Sequence, residues 1–219
     1  MCGVLNKLLA VVAVGAATLA GAWAGEIGAT QTLPTLASVA AQAIAAQTDP
    51  AKLRTLKGSR AANPRLQRCI FWIAEAEAAG ADPGAVLDQA AGLNGTSGTP
   101  RAGFLRWGLL ENLRLAKEMG ILGEDGREEL RRGKSAAITR GDYVGQEAQA
   151  DHVLPLALCP ELGNEVFNLE LLPAKLNQSK GMKVGERQKI FARELYEAKL
   201  LSLESFERVG KAAEEKIKK

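Results

Sequence analysis

The stretch Asp151 to Gly181, DHVLPLALCPELGNEVFNLELLPAKLNQSKG, decides the fold. It holds His152, the only histidine among 219 residues, directly after an acid and three places before Pro155. Asn168 opens NLELL, whose alternating apolar residues predict a strand, and Asn177 follows nine residues later on the first turns of a helix begun by PAKLNQSKG. Upstream, the β-prone pieces and glycine turns of 136–155, AAITRGDYVGQEAQADHVLP, predict a first strand closing at Asp151-His152. Strand, long connection, strand, helix is the order. Folding such a unit brings Asp151, His152, Asn168 and Asn177 to the edge where hairpin meets helix.

On either side of this unit the periodicity is helical. Asn63-Pro64 signals a start, and Leu66, Cys69, Ile70 and Ile73 recur at i, i+3, i+4 and i+7 up to Gly80. Asp82-Pro83 starts a shorter helix with Val86 and Leu87, and GLNGTSGTP breaks the pattern. A third helix from Thr99-Pro100 to Gly120 carries Leu105, Leu109, Leu113 and Ala116 on one stripe, and Glu128 to Arg132 supplies another turn or two. Phe71, Trp72, Phe104 and Trp107 read as packing residues. After Gly185 the chain is helical again, with Phe191, Leu195 and Ala198 on one side, then Ser202 as a cap before Leu203, Phe206 and Val209. The predicted fold is therefore mainly α with a small α+β core: a helical N-terminal layer at 61–134, a hairpin-helix module at 135–190 and C-terminal helices at 191–219.

Composition bounds the function. With 47% hydrophobic and 24% charged residues the chain is a folded globular protein, and a net charge of +3 permits a polyanionic partner without demanding one. Residues 1–24 read as a signal peptide, with Lys7, an apolar run from Leu8 and Ala22-Trp23-Ala24 as the cleavage signal. Export to the periplasm or medium follows, the alternative being a membrane anchor through 8–24, a run short of the ~20 residues that comfortably span a bilayer. Residues 25–60 read as an Ala-rich, weakly ordered tether. Cys69 and Cys159 either pair or lie buried as thiols, and with one histidine and no C-x-x-C a structural zinc site is disfavoured. RRGKS (131–135) lacks the glycine that a phosphate-binding loop needs, because Glu128 occupies its place.

In order, residue type and separation, DHVLP, NLELLP and LNQSKG resemble the HNH endonucleases with their ββα-metal fold, in the H-N-N variant, over about residues 136–190. The resemblance implies a metal-dependent endonuclease acting on nucleic acid, DNA ahead of RNA. It implies His152 as general base, Asp151 and Asn177 as oxygen ligands of Mg²⁺ or Mn²⁺, Asn168 as the residue holding the hairpin connection and the imidazole in register, and Lys180 as a point charge facing a phosphate oxygen. Glu147, four residues before Asp151, is a lesser candidate carboxylate.

Taken singly, a D-H pair reads as surface decoration and an asparagine near a turn as a cap. The combination carries the reading. Between Lys175 and Lys199 lie seven basic residues, Lys175 and Lys183 among them, against three acidic ones, an excess of four that suits phosphate contacts. The alternative function is a non-catalytic nucleic-acid-binding module on the same scaffold.

Overall fold

The computed structural model describes residues 33–57 and 62–215; the expected leader and the terminal KIKK lie outside them. The protein is mainly helical with one small antiparallel sheet. Among the described residues no helix is long and apolar enough to cross a membrane.

The helical layer is built from α1 (Leu36–Thr48), the one-turn α2 (Pro50–Leu53), α3 (Ala62–Ala78), α4 (Pro83–Leu93), α5 (Pro100–Glu118) and α6 (Glu124–Arg132). The α3 stripe of Leu66, Cys69, Ile70 and Ile73 is wholly buried, and Leu105, Leu109, Leu113 and Ala116 bury the matching face of α5. Proline in the first turn, with the side chains of Asp82 and Thr99 accepting from Ala85 N and Ala102 N, starts α4 and α5 where the sequence signalled. Helix α6 begins four residues earlier than its apolar pattern suggested and ends at Gly133, whose φ of 78° closes the helix. RRGKS is thus a helix terminus.

Of the segment 25–60 expected to be a tether, 25–32 and 58–60 lie outside the described residues, and α1 is instead part of this core. Ala40, Ala41 and Ile44 of α1 are fully buried against α3 and α4, and Asn94 Nδ2 donates to Ala45 O and Thr48 Oγ1, both at 3.1 Å. Alanines bury little area each, which is why they look like weak packing in a sequence. Their small size also lets helices approach closely, and α3 and α4 supply the partner surface.

Strand β1 (Ala148–His152) pairs antiparallel with β2 (Leu169–Pro173), with Asp151 opposite Glu170 and His152 opposite Leu169. Side chains alternate across the ribbon. Ala148, Ala150, Leu169 and Leu171 face the helical core, while Gln149, Asp151 and Glu170 face the elements that follow. Helix side chains meet both outer edges of the ribbon. Asn112 of α5 donates to Leu169 O (2.9 Å) and accepts from Leu171 N (2.8 Å), as a neighbouring strand would. On β1, Ala148 N donates to Ala136 O (2.9 Å) and Gln67 of α3 donates to Ala148 O (3.4 Å).

Three helices complete the chain: α7 (Ala174–Lys180), α8 (Glu186–Glu197) and α9 (Leu203–Glu215). The last is capped by Ser202, whose Oγ accepts from Ser205 N, and is tied to the strand connection by Glu161, which accepts from both Ser202 and Ser205. The expected boundary at 190/191 falls inside α8. Phe191 and Leu195 share a second core with Val153, Leu154 and Phe167 of the strand connection, so the C-terminal helices and the hairpin fold as one packing unit. Phe71 and Phe104 pack as expected; Trp107 is half-exposed, with its ring 5.9 Å from that of Phe191.

Cys69 and Cys159 lie one in each core and are unpaired. Burial pushes both thiols up to about 12, so the reactive thiolate is scarce at neutral pH. In the native protein at pH 8 neither thiol is expected to react with an aromatic disulfide reagent within minutes, and both are expected to react after unfolding, as followed by absorbance.

Candidate functional site

The seam between β1 and α7 gathers Asp151, Asn177 and Lys180 from the polar residues singled out in the sequence. Gln149 and Asp151, two apart on one strand, point to the same side. On α7, Asn177 and Lys180 stand one turn apart on one face. Asn177 Nδ2 donates to Gln149 Oε1 at 3.0 Å, and Lys180 Nζ donates to Asp151 Oδ2 at 2.7 Å. The Asp151 carboxylate and the Asn177 carboxamide therefore line one seam within a single turn of helix.

His152 continues the strand, and its ring reaches the connection between the strands: Nε2 lies 3.0 Å from the carbonyl oxygen of Gly163. A carbonyl only accepts, so Nε2 carries the hydrogen and Nδ1 is the nitrogen with the available lone pair in the neutral ring. The Gly163 carbonyl is held in turn. Arg65 of α3 donates to Asn164 O at 2.8 Å, and Arg101 of α5 pairs with Glu165 at 2.7 Å, both contacts well shielded. Through these two arginines the helical layer fixes the peptide on which the imidazole rests.

Asn168 is fully buried behind the hairpin. Its Oδ1 accepts from Leu154 N (2.9 Å) and its Nδ2 donates to Leu154 O (3.1 Å), and Val153 N bonds Asn168 O at 2.7 Å. One carboxamide thereby pins the first residues after β1 to the last residue before β2. Neither backbone group of Leu154 has access to water, so the side chain supplies what a strand partner would.

Lys180, expected as a point charge facing a phosphate oxygen, is engaged by two carboxylates of the ribbon. Its side chain is 13% exposed, lies between Asp151 and Glu170 (3.4 Å), and donates also to His152 O. The reason lies in the register: Glu170, directly opposite Asp151, is 5% exposed, and a buried carboxylate must find cations. Arg187 of α8 is the second, with Nη2 2.6 Å from Glu170 Oε2. Asp151, Lys180, Glu170 and Arg187 form an alternating row of charge along the seam. Sequence reading missed Glu170 because NLELL alternation assigns it to the solvent face, and α7 and α8 cover that face. Lys175 and Lys183 flank α7 at either end and are exposed, Lys183 Nζ donating to Ser179 O at 2.9 Å. Glu147 is exposed and bonded to Gln149 Nε2 (3.3 Å).

The donor set at the seam suits a hard cation. Asp151 contributes a carboxylate and Asn177 a carboxamide oxygen, with Nδ2 turned to Gln149, and Mg²⁺ or Mn²⁺ is held by few protein oxygens together with water and phosphate. No cluster of three or more His, Cys, Asp or Glu side chains with metal-binding geometry occurs among the described residues. Compared with known protein families, characterised proteins and solved structures, the chain matches none.

Proposed function

We propose that the protein is a metal-dependent endonuclease of the HNH type, hydrolysing phosphodiester bonds of nucleic acid, DNA ahead of RNA, outside the cytoplasm. One observation carries the reading: Asp151, Asn177 and Lys180 of the HNH pattern line one seam, while Asn168 clamps the strand connection and His152 rests on that connection's Gly163 carbonyl.

In this reading Asp151 and Asn177 hold Mg²⁺ or Mn²⁺. When bound, the ion supplies neutralisation of charge on the scissile phosphate and the leaving oxygen. The chain's own residues do the rest. His152 Nδ1 takes the proton from the attacking water, while the Nε2–H···O=C bond to Gly163 stabilises the imidazolium that forms. Asn168 keeps that ring in place by fixing the connection at Leu154. Lys180 pairs with both Asp151 and Glu170, so Glu170 would still supply its counter-charge if Asp151 held the ion.

The non-catalytic alternative has one observation in its favour: the Lys180 ammonium already neutralises Asp151. Nicking of supercoiled plasmid separates the two. The endonuclease reading expects open-circular product with Mg²⁺ or Mn²⁺ and none with EDTA. Plasmid binding without nicking under either ion would favour the module.

A further inference from the structure

Glu170 carries the inference. It is a buried acid in a site that must receive a polyanion, which by charge alone works against the substrate. Its surroundings give it another use. Both of its carboxylate oxygens meet a cation, Oε1 the Lys180 ammonium at 3.4 Å and Oε2 the Arg187 guanidinium at 2.6 Å. Arg187 differs from Lys180 in being open to solvent, with a side chain 56% exposed against 13%. Its positive field is also felt on α5. Arg114's hydrogen bond first, with Arg187 a lesser contributor, holds the Glu111 carboxyl below its ordinary range. The guanidinium thus stands exposed beside the Asp151–Glu170 pair of the ribbon, anchored to Glu170 on one edge and open to phosphate oxygens on the others.

We propose that Glu170 is a positioning residue that sets Arg187, with Lys180 behind it, as a phosphodiester grip at the seam; this rests on the nuclease reading of the same site. The acid costs some attraction for the polyanion, and in return it removes the freedom of a long side chain before substrate arrives. A surface arginine without such an anchor would be ordered only on binding.

The two views of Glu170 predict opposite signs. If it is only a negative charge near the site, Glu170→Gln strengthens binding of nucleic acid. If it positions the grip, Glu170→Gln weakens binding, and Glu170→Asp, which keeps the charge, recovers part of the loss. The measurement is fluorescence anisotropy of a labelled 20-base-pair duplex in EDTA, over a salt series, so that binding is read without cleavage. Arg187→Ala is expected to lower the slope of log affinity against log salt by about one. Arg131→Ala, at an equally exposed arginine of α6 paired to Glu128, is expected to leave it unchanged.

The double variant Glu170→Gln/Arg187→Ala is expected to bind no more weakly than Arg187→Ala alone, because the weakening by Glu170→Gln runs through that guanidinium. Tighter binding by Glu170→Gln, or equal slopes for Arg187→Ala and Arg131→Ala, would overturn the proposal. Should Glu170→Gln fail to fold, the comparison of the two exposed arginines still decides. The outcomes separate from those of the nuclease reading. A lowered slope for Arg187→Ala in a protein whose parent never cleaves keeps the grip and removes the nuclease, whereas cleavage by the parent with an unaltered Arg187→Ala slope does the reverse.

Discussion

Replacing His152 with alanine is expected to cut plasmid nicking by about 10²–10⁴-fold while leaving affinity for duplex DNA within about twofold of the parent. The argument is geometric. The ring's only hydrogen bond among the described residues is Nε2 to Gly163 O, so its removal unties no second element, and Nδ1 is the nitrogen left for a proton. His152→Gln can keep a donor toward that carbonyl but offers no basic nitrogen, and is expected to be as inactive as alanine. Nicking by His152→Ala within tenfold of the parent would assign the activity to another residue.

The second large effect is on stability. Asn168→Ala removes the acceptor of Leu154 N and the donor of Leu154 O at a fully buried position. Each buried backbone group left unpaired costs about 1–3 kcal/mol, so for the two groups a loss of about 2–6 kcal/mol is expected. For a chain of this size that lowers the melting temperature by about 4–24 °C in a thermal scan. Asn168→Asp tests the cause. It keeps an acceptor for Leu154 N yet turns a second oxygen toward Leu154 O, and so is expected to melt no higher than the alanine variant at pH 7. A melting temperature equal to the parent's for either variant would show that the clamp does not hold the connection.

Periodicity made the helical layer legible. Leu66, Ile70 and Ile73 mark a face whose burial follows from spacing alone, and proline with an aspartate or threonine before it marks where α4 and α5 begin. The hairpin was legible too, since Asp151-His152 closes β1 as the pattern put it, while Asn168 stands one residue before β2 instead of opening it. The α1 segment was not, because alanine reports helix formation but not whether a neighbouring surface exists to bury it. Within the site, residues with a fixed order in the chain were legible, and residues whose role comes from register were not. Glu170 gains its meaning from lying opposite Asp151 beneath α7 and α8, and Arg187 looked like one of seven basic residues until its counter-charge was known. Asn112, in mid-helix, gave no hint that it bonds a strand.

That last residue has a consequence for how the molecule behaves in company. A two-stranded ribbon ordinarily presents bare backbone on both flanks, where extended segments of other chains attach and fibrils grow. Here the flank of β2 is answered by the carboxamide of Asn112 and that of β1 by the 136–138 segment and Gln67. Two amide side chains borrowed from helices thus occupy, on each flank of a minimal sheet, backbone positions at which a foreign strand would otherwise pair.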